Sequence, residues 1–159
     1  MLHVKEIWQL WKKLIESGED VNSEGGDGYS PLFLSVFGNN PETASLLIEK
    51  GANVNTRDCA DKTPLIFIAS RNSKPSTKFA QILIDNGADL NAVDFGGNTA
   101  LNCALIFKNI EIAKLLLENG INFNIRNNRG NDALSLSIMY GYFEFTKLLI
   151  DHGDNVNKE

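Results

Sequence analysis

The chain has 159 residues, about one domain's length, with 43% hydrophobic and 22% charged residues and a net charge of -5. That acidic balance, with a pI near 5.1 and no basic run, argues against nucleic acid or an anionic membrane as the main partner. No apolar run approaches the roughly 20 residues that span a bilayer, and Met1 to Glu6 lack the apolar stretch of a secretory signal. The two cysteines, Cys59 and Cys103, suggest neither a disulfide framework nor a metal pair, so an intracellular, cytoplasmic protein with reduced thiols is expected.

From Leu2 to Glu16 the apolar residues Val4, Ile7, Trp8, Leu10, Trp11, Leu14 and Ile15 fall at helical spacing, and Gly18 supplies a stop. This predicts one amphipathic helix, with Trp8 and Trp11 buried against the first full repeat rather than stacking on a ligand. Ser23 to Gly28 reads as a loop. Beyond it Ser30 is placed to cap a helix, Pro31 takes its first position, and Leu32, Val36 and Phe37 keep helical spacing. Asn39-Asn40-Pro41 ends that helix, and Thr43 to Lys50 forms a second, antiparallel one with Leu46 and Leu47 toward the core. Gly51 comes next because the residue just past a helix end commonly adopts the left-handed conformation. Asn55 suits hydrogen bonding to the backbone of the ensuing turn.

The unit then recurs. Leu46 to Asn55 is echoed by Ile82 to Asn91, Leu115 to Asn124 and Leu148 to Asn157, and more weakly by Lys13 to Asn22. The glycines Gly18, Gly51, Gly87, Gly120 and Gly153 stand 33, 36, 33 and 33 residues apart. Ahead of each full copy runs a second signature: Ser30-Pro31-Leu32, Thr63-Pro64-Leu65, Thr99-Ala100-Leu101 and Asp132-Ala133-Leu134. The longer interval places a three-residue insertion within Ser70 to Lys78. Arg71, Lys74 and Lys78 there could meet an acidic partner, although repeat arrays tolerate such loops without function.

This period and the T-P-L signature resemble the ankyrin repeat family. The resemblance implies an all-α fold, an ankyrin-repeat solenoid of stacked helix-turn-helix units with β-turn or hairpin connections. It divides a single domain, 1–159, into an N-terminal capping partial repeat, 1–24, and repeats 25–57, 58–93, 94–126 and 127–159. The family's histidine after T-P-L is replaced by Phe33, Ile66, Asn102 and Ser135, which predicts looser turns. The resemblance further implies a non-catalytic module that binds another protein, as adaptor or competitive inhibitor, through the concave face. The residues expected on that face are Tyr29, Phe37, Lys62, Arg71 and Phe95 from the first half, and Ile106, Phe107, Arg129, Met139 and Tyr140 from the second. Their apolar, aromatic and arginine character is typical of interfaces.

Catalytic chemistry finds no footing. His3 and His152 lie near opposite ends of an elongated stack, so no histidine triad or metal site is expected. Gly25-Gly26-Asp27-Gly28 lacks the lysine and preceding strand of a phosphate loop. No cofactor is implied. The alternative is a structural subunit that self-associates weakly through the C-terminal edge. Phe143, Phe145, Leu148, Leu149 and Ile150 give that edge an apolar character unusual in a terminal repeat.

Overall fold

The structure, a computed structural model, describes residues 16–18, 20–24, 29–71 and 76–156, together with residues 9 and 13. The expected N-terminal helix with Trp8 and Trp11, the glycine-rich stretch 25–28, residues 72–75 of the insertion and Asn157 lie outside the described residues. Eight helices and no strand occur among the described residues. Four are short inner helices: α1 (Pro31–Phe37), α3 (Pro64–Ala69), α5 (Ala100–Ile106) and α7 (Ala133–Met139). Each is followed by an antiparallel outer helix: α2 (Pro41–Glu49), α4 (Thr77–Asp85), α6 (Ile110–Glu118) and α8 (Phe143–Val156). Inner helices pack on inner helices and outer on outer, which gives two layers with the core between them.

Each inner helix starts at a side-chain cap. The oxygens of Ser30, Thr63, Thr99 and Asp132 accept from the N–H groups of Phe33, Ile66, Asn102 and Ser135, at 3.2, 3.3, 3.2 and 2.9 Å. Those N–H groups have no partner within their own helix, so the caps fix where each helix begins. Leu32, Leu65 and Leu101, two residues past their caps, are fully buried, and Phe79, Leu83, Ile112 and Leu116 fill the gap beneath the outer layer. Burying each such side chain contributes about 1.5–3 kcal/mol.

Between helix pairs the chain forms a projecting finger. Asp58 Oδ1 accepts from the N–H groups of Ala60 and Lys62, Asp94 Oδ1 from those of Gly96 and Asn98, and Asn127 Oδ1 from those of Arg129 and Asn131. One acceptor oxygen is all the turn requires, which is why asparagine replaces aspartate at 127 without altering it. The fingers are therefore closed without the family's histidine, against the looseness expected. They also dock on one another, since Asn128 N–H donates to Gly96 O at 2.9 Å and Asn128 Nδ2 to Phe95 O at 2.9 Å. Gly97, at φ 71°, is required there: a Cβ would lie 2.5 Å from Asn128 Oδ1.

Two sequence expectations need correction. Asn55 does not serve the turn that follows it. Its Nδ2 donates to Gly87 O at 3.1 Å and its Oδ1 accepts from Asp89 N–H at 2.7 Å, one helix pair further on. Asn22 grips Gly51 O and Asn53 N–H in the same way, and Asn91 accepts from Asn122 N–H, so a ladder of asparagines ties each pair to the next. Gly153 is no helix stop either. Gly51, Gly87 and Gly120 sit at φ 80° to 91° after α2, α4 and α6, whereas α8 runs through Gly153 to Val156, 14 residues against 9 in the other outer helices. Glycine permits the left-handed conformation but does not impose it.

Candidate functional site

The fingers and the C-terminal ends of the inner helices face each other across a shallow groove. One hollow in it encloses about 390 Å³. Asp94, Asn98 and the 127–131 finger form one wall; Ile106 and Phe107 from the end of α5 and Leu136, Met139 and Tyr140 from α7 form the floor, with Lys62 and Arg129 on the rim. Six of the ten sequence-predicted residues thus line one hollow: Lys62, Ile106, Phe107, Arg129, Met139 and Tyr140. Met139 is 61% exposed, Tyr140 45% and Phe107 36%. Ile106 is half-buried and packs against the core, so part of its surface already serves the fold.

The other four are distributed elsewhere. Tyr29 and Phe37 line a smaller hollow of about 140 Å³ with Phe33 and Leu34. There a chain of ring contacts runs from Tyr29 to Phe33 at 5.3 Å, to Phe67 at 5.1 Å and on to Phe37 at 5.9 Å. Arg71 is committed to the fold: its Nη1 donates to Val36 O at 3.0 Å and Phe37 O at 2.9 Å, and its guanidinium lies over the Phe67 ring. It closes the end of α1, whose last carbonyls have no partner within the helix. Phe95 stands at a fingertip, 71% exposed and apart from both hollows.

Several lining residues went unread in the sequence. Leu136 carries no signal that separates it from a core leucine, and Asn128 contributes only through finger-to-finger bonds that link distant positions. Cys103 also lines the hollow, but burial, and next the negative charge of Asp94, push its thiol up to about 12. It is protonated at neutral pH and is not a nucleophile. Tyr140 stacks on Tyr142 at 5.9 Å, and Tyr142 Oη donates to Leu105 O at 3.0 Å. Burial, with Tyr140 adding to it, raises the Tyr142 phenol above its ordinary range. These bonds fix the floor's aromatic edge in place.

Among the described residues no three His, Cys, Asp or Glu side chains gather to hold a metal ion, and no helix is long and apolar enough to cross a membrane. What the groove offers is a preformed apolar floor between polar walls, an arrangement for binding.

A family model described as ankyrin repeats, three copies, matches residues 3–94 and 68–159. The chain belongs to the ankyrin repeat family. Ankyrin repeats are generally protein–protein interaction modules and generally non-catalytic. Ankyrin repeat and SOCS box protein 6 of Mus musculus is 37% identical over 93 residues, covering 58% of this chain and 22% of that protein. Rabankyrin-5 of Homo sapiens is 36% identical over 110 residues, covering 60% of this chain and 9% of that protein. The chain therefore spans less than a quarter of either relative, and what they share with it is the repeat array.

Proposed function

We propose that this ankyrin repeat chain binds a partner protein through the groove between its fingers and inner helices, acting as an adaptor or as a competitive inhibitor that masks the partner's surface. The observation that carries this reading is the exposure of Phe107, Met139 and Tyr140 on the floor of one hollow. Large apolar side chains exposed together cost solubility and are not demanded by the repeat, whose core lies on the other side of the same helices. The proposed contact set is the one read from the sequence, centred on Lys62, Ile106, Phe107, Arg129, Met139 and Tyr140. Arg71 is instead engaged in holding the end of α1.

The test uses Phe107→Asp combined with Tyr140→Asp. A partner captured by the wild type, identified by mass spectrometry and purified, is expected to lose at least tenfold in affinity for the double variant. The thermal midpoint should move by only a few degrees, because both side chains are partly solvated already. If the double variant unfolds, Met139→Glu, at the more exposed position, repeats the test. Binding that survives these substitutions rejects the groove.

A second reading has its own support. Leu134 and Ile138 in α7 stand where Leu32, Leu65 and Leu101, and Val36, Ala69 and Leu105, are fully buried by the next helix pair. They are instead 36% and 62% exposed, beside Phe143 at 75% and Ile150 at 49%. We infer that a second copy can cover this face, giving a weak homo-oligomer. Of the five α8 residues that suggested it, Phe145 and Leu149 are buried and Leu148 half-buried, so α7 supplies the larger share.

A further inference from the structure

The binding reading can be carried to the chemistry of the partner, and the inference rests on that reading. The inner helices α1, α3, α5 and α7 contain no charged residue. The acidic side chains of the helices sit in the outer layer, among them Glu42, Glu49, Asp85, Glu111, Glu118, Glu144 and Asp151. Within the helices, negative charge thus lies in the layer away from the groove; in the fingers, Asp58 and Asp94 accept from backbone N–H groups and Asp61 is paired with Arg57. The cations lining this hollow are Lys62 and Arg129, with Lys108 exposed just beyond the end of α5. None of the three is in an ion pair among the described residues.

Among the described residues, the one acidic side chain lining the hollow is Asp94, and its oxygens face inward. Oδ1 accepts from the N–H groups of Gly96 at 2.8 Å and Asn98 at 2.9 Å, and Oδ2 lies against Asn98 Nδ2 at 3.5 Å and the Cys103 thiol at 3.9 Å. Its charge is occupied by the finger, whereas Arg129 is exposed and, among the described residues, the Lys62 ammonium donates to the neutral Ser70 Oγ at 3.4 Å. The floor between these two cations is apolar and aromatic. A hollow of about 390 Å³ falls in the usual size range of ligand pockets and accommodates a large side chain with its flanking backbone.

We propose that the hollow receives an extended acidic segment of a partner protein. One large apolar side chain seats against Phe107, Met139 and Tyr140, and flanking carboxylates meet Lys62 and Arg129. Opposite charge on the rim sets register and speeds association, while the apolar anchor supplies most of the affinity.

The experiment selects short random peptides displayed on phage against the intact protein. The expected result is enrichment of sequences with Asp or Glu within a few positions of Phe, Leu or Trp. Synthetic copies of these should bind less well as salt rises, and Lys62→Glu with Arg129→Glu should weaken them about tenfold or more. Three outcomes overturn the inference. Neutral or basic peptides that bind the wild type and lose binding to Phe107→Asp with Tyr140→Asp reject the acidic class and leave the groove standing. Peptides that bind that double variant undiminished reject both. Failure to enrich any sequence rejects an extended segment as the occupant, and the groove is then judged on a folded partner alone.

Discussion

At the residue scale, positions that look alike in sequence carry different tasks. Arg71 and Arg129 both read as interface arginines, yet only Arg129 is exposed, while Arg71 holds the end of α1. Nothing local announces this, because the acceptors Val36 and Phe37 lie in the preceding helix pair. Asn109 is a similar case: its buried Nδ2 donates to Ala69 O at 2.7 Å and Arg71 O at 2.8 Å, 40 and 38 residues away. Cys59 and Cys103 are likewise equivalent on paper but not in the fold, where Cys59 is exposed and Cys103 buried. The Cys103 thiol rises from an ordinary 9.0 to about 12, so below pH 9 it is neutral in both folded and unfolded chains and adds no pH dependence. Between roughly pH 9 and 12 the unfolded thiol ionises while the folded one does not, and stability falls as pH rises, by about 1 kcal/mol per pH unit. Urea unfolding of the wild type and Cys103→Ala at pH 8 and pH 10 should show a smaller decline in the variant. Alkylation at pH 8 should modify Cys59 and spare Cys103; equal labelling of both would contradict the burial that sets the thiol's acidity.

At the element scale, what was legible in the sequence is what repeats. The caps at Ser30, Thr63, Thr99 and Asp132, the leucines behind them and the glycines after α2, α4 and α6 each recur at the same place in every unit. Local rules therefore locate the helices. What was not legible depends on a neighbour: the asparagine ladder acts on the following pair, and the left-handed turn after an outer helix is the segment that ladder grips. Around Gly153 the chain takes the helical alternative. Two alanine substitutions separate the cases. Gly120 lies at φ 80°, where alanine is strained, so Gly120→Ala should cost about 1 kcal/mol. Gly153 lies inside α8 with only Phe123 Cζ near a new Cβ, at 3.9 Å. Alanine there should stabilise the protein by roughly 0.5–1 kcal/mol and raise helicity. A loss of stability in Gly153→Ala, measured by denaturant unfolding, would mean that α8 ends at this glycine as the sequence pattern had it.

At the scale of the whole molecule, a stack in which each helix pair touches only its neighbours makes the cost of a substitution depend on its place in the row. Leu105 and Ile138 occupy the same position of successive units, but Leu105 is fully buried under α7 whereas Ile138 is 62% exposed. Placing a carboxylate at Leu105 strands a charge in the core and is expected to unfold the array. At Ile138 the carboxylate stays hydrated, so the monomer should keep its thermal midpoint within a few degrees. The same substitution puts a charge in the middle of the face formed by Leu134, Ile138, Phe143 and Ile150. If two copies meet there about a two-fold axis, each introduced carboxylate approaches its mate across an apolar interface, and repulsion adds to the cost of desolvation. Light scattering at high micromolar concentration should then give a wild-type mass that rises with concentration and an Ile138→Asp mass that stays at the monomer value. A wild type that is monomeric throughout removes the self-association reading. A wild type and a variant that associate equally move the contact to another face. Neither result touches the groove, whose residues Phe107 and Tyr140 line a hollow shared with the fingers.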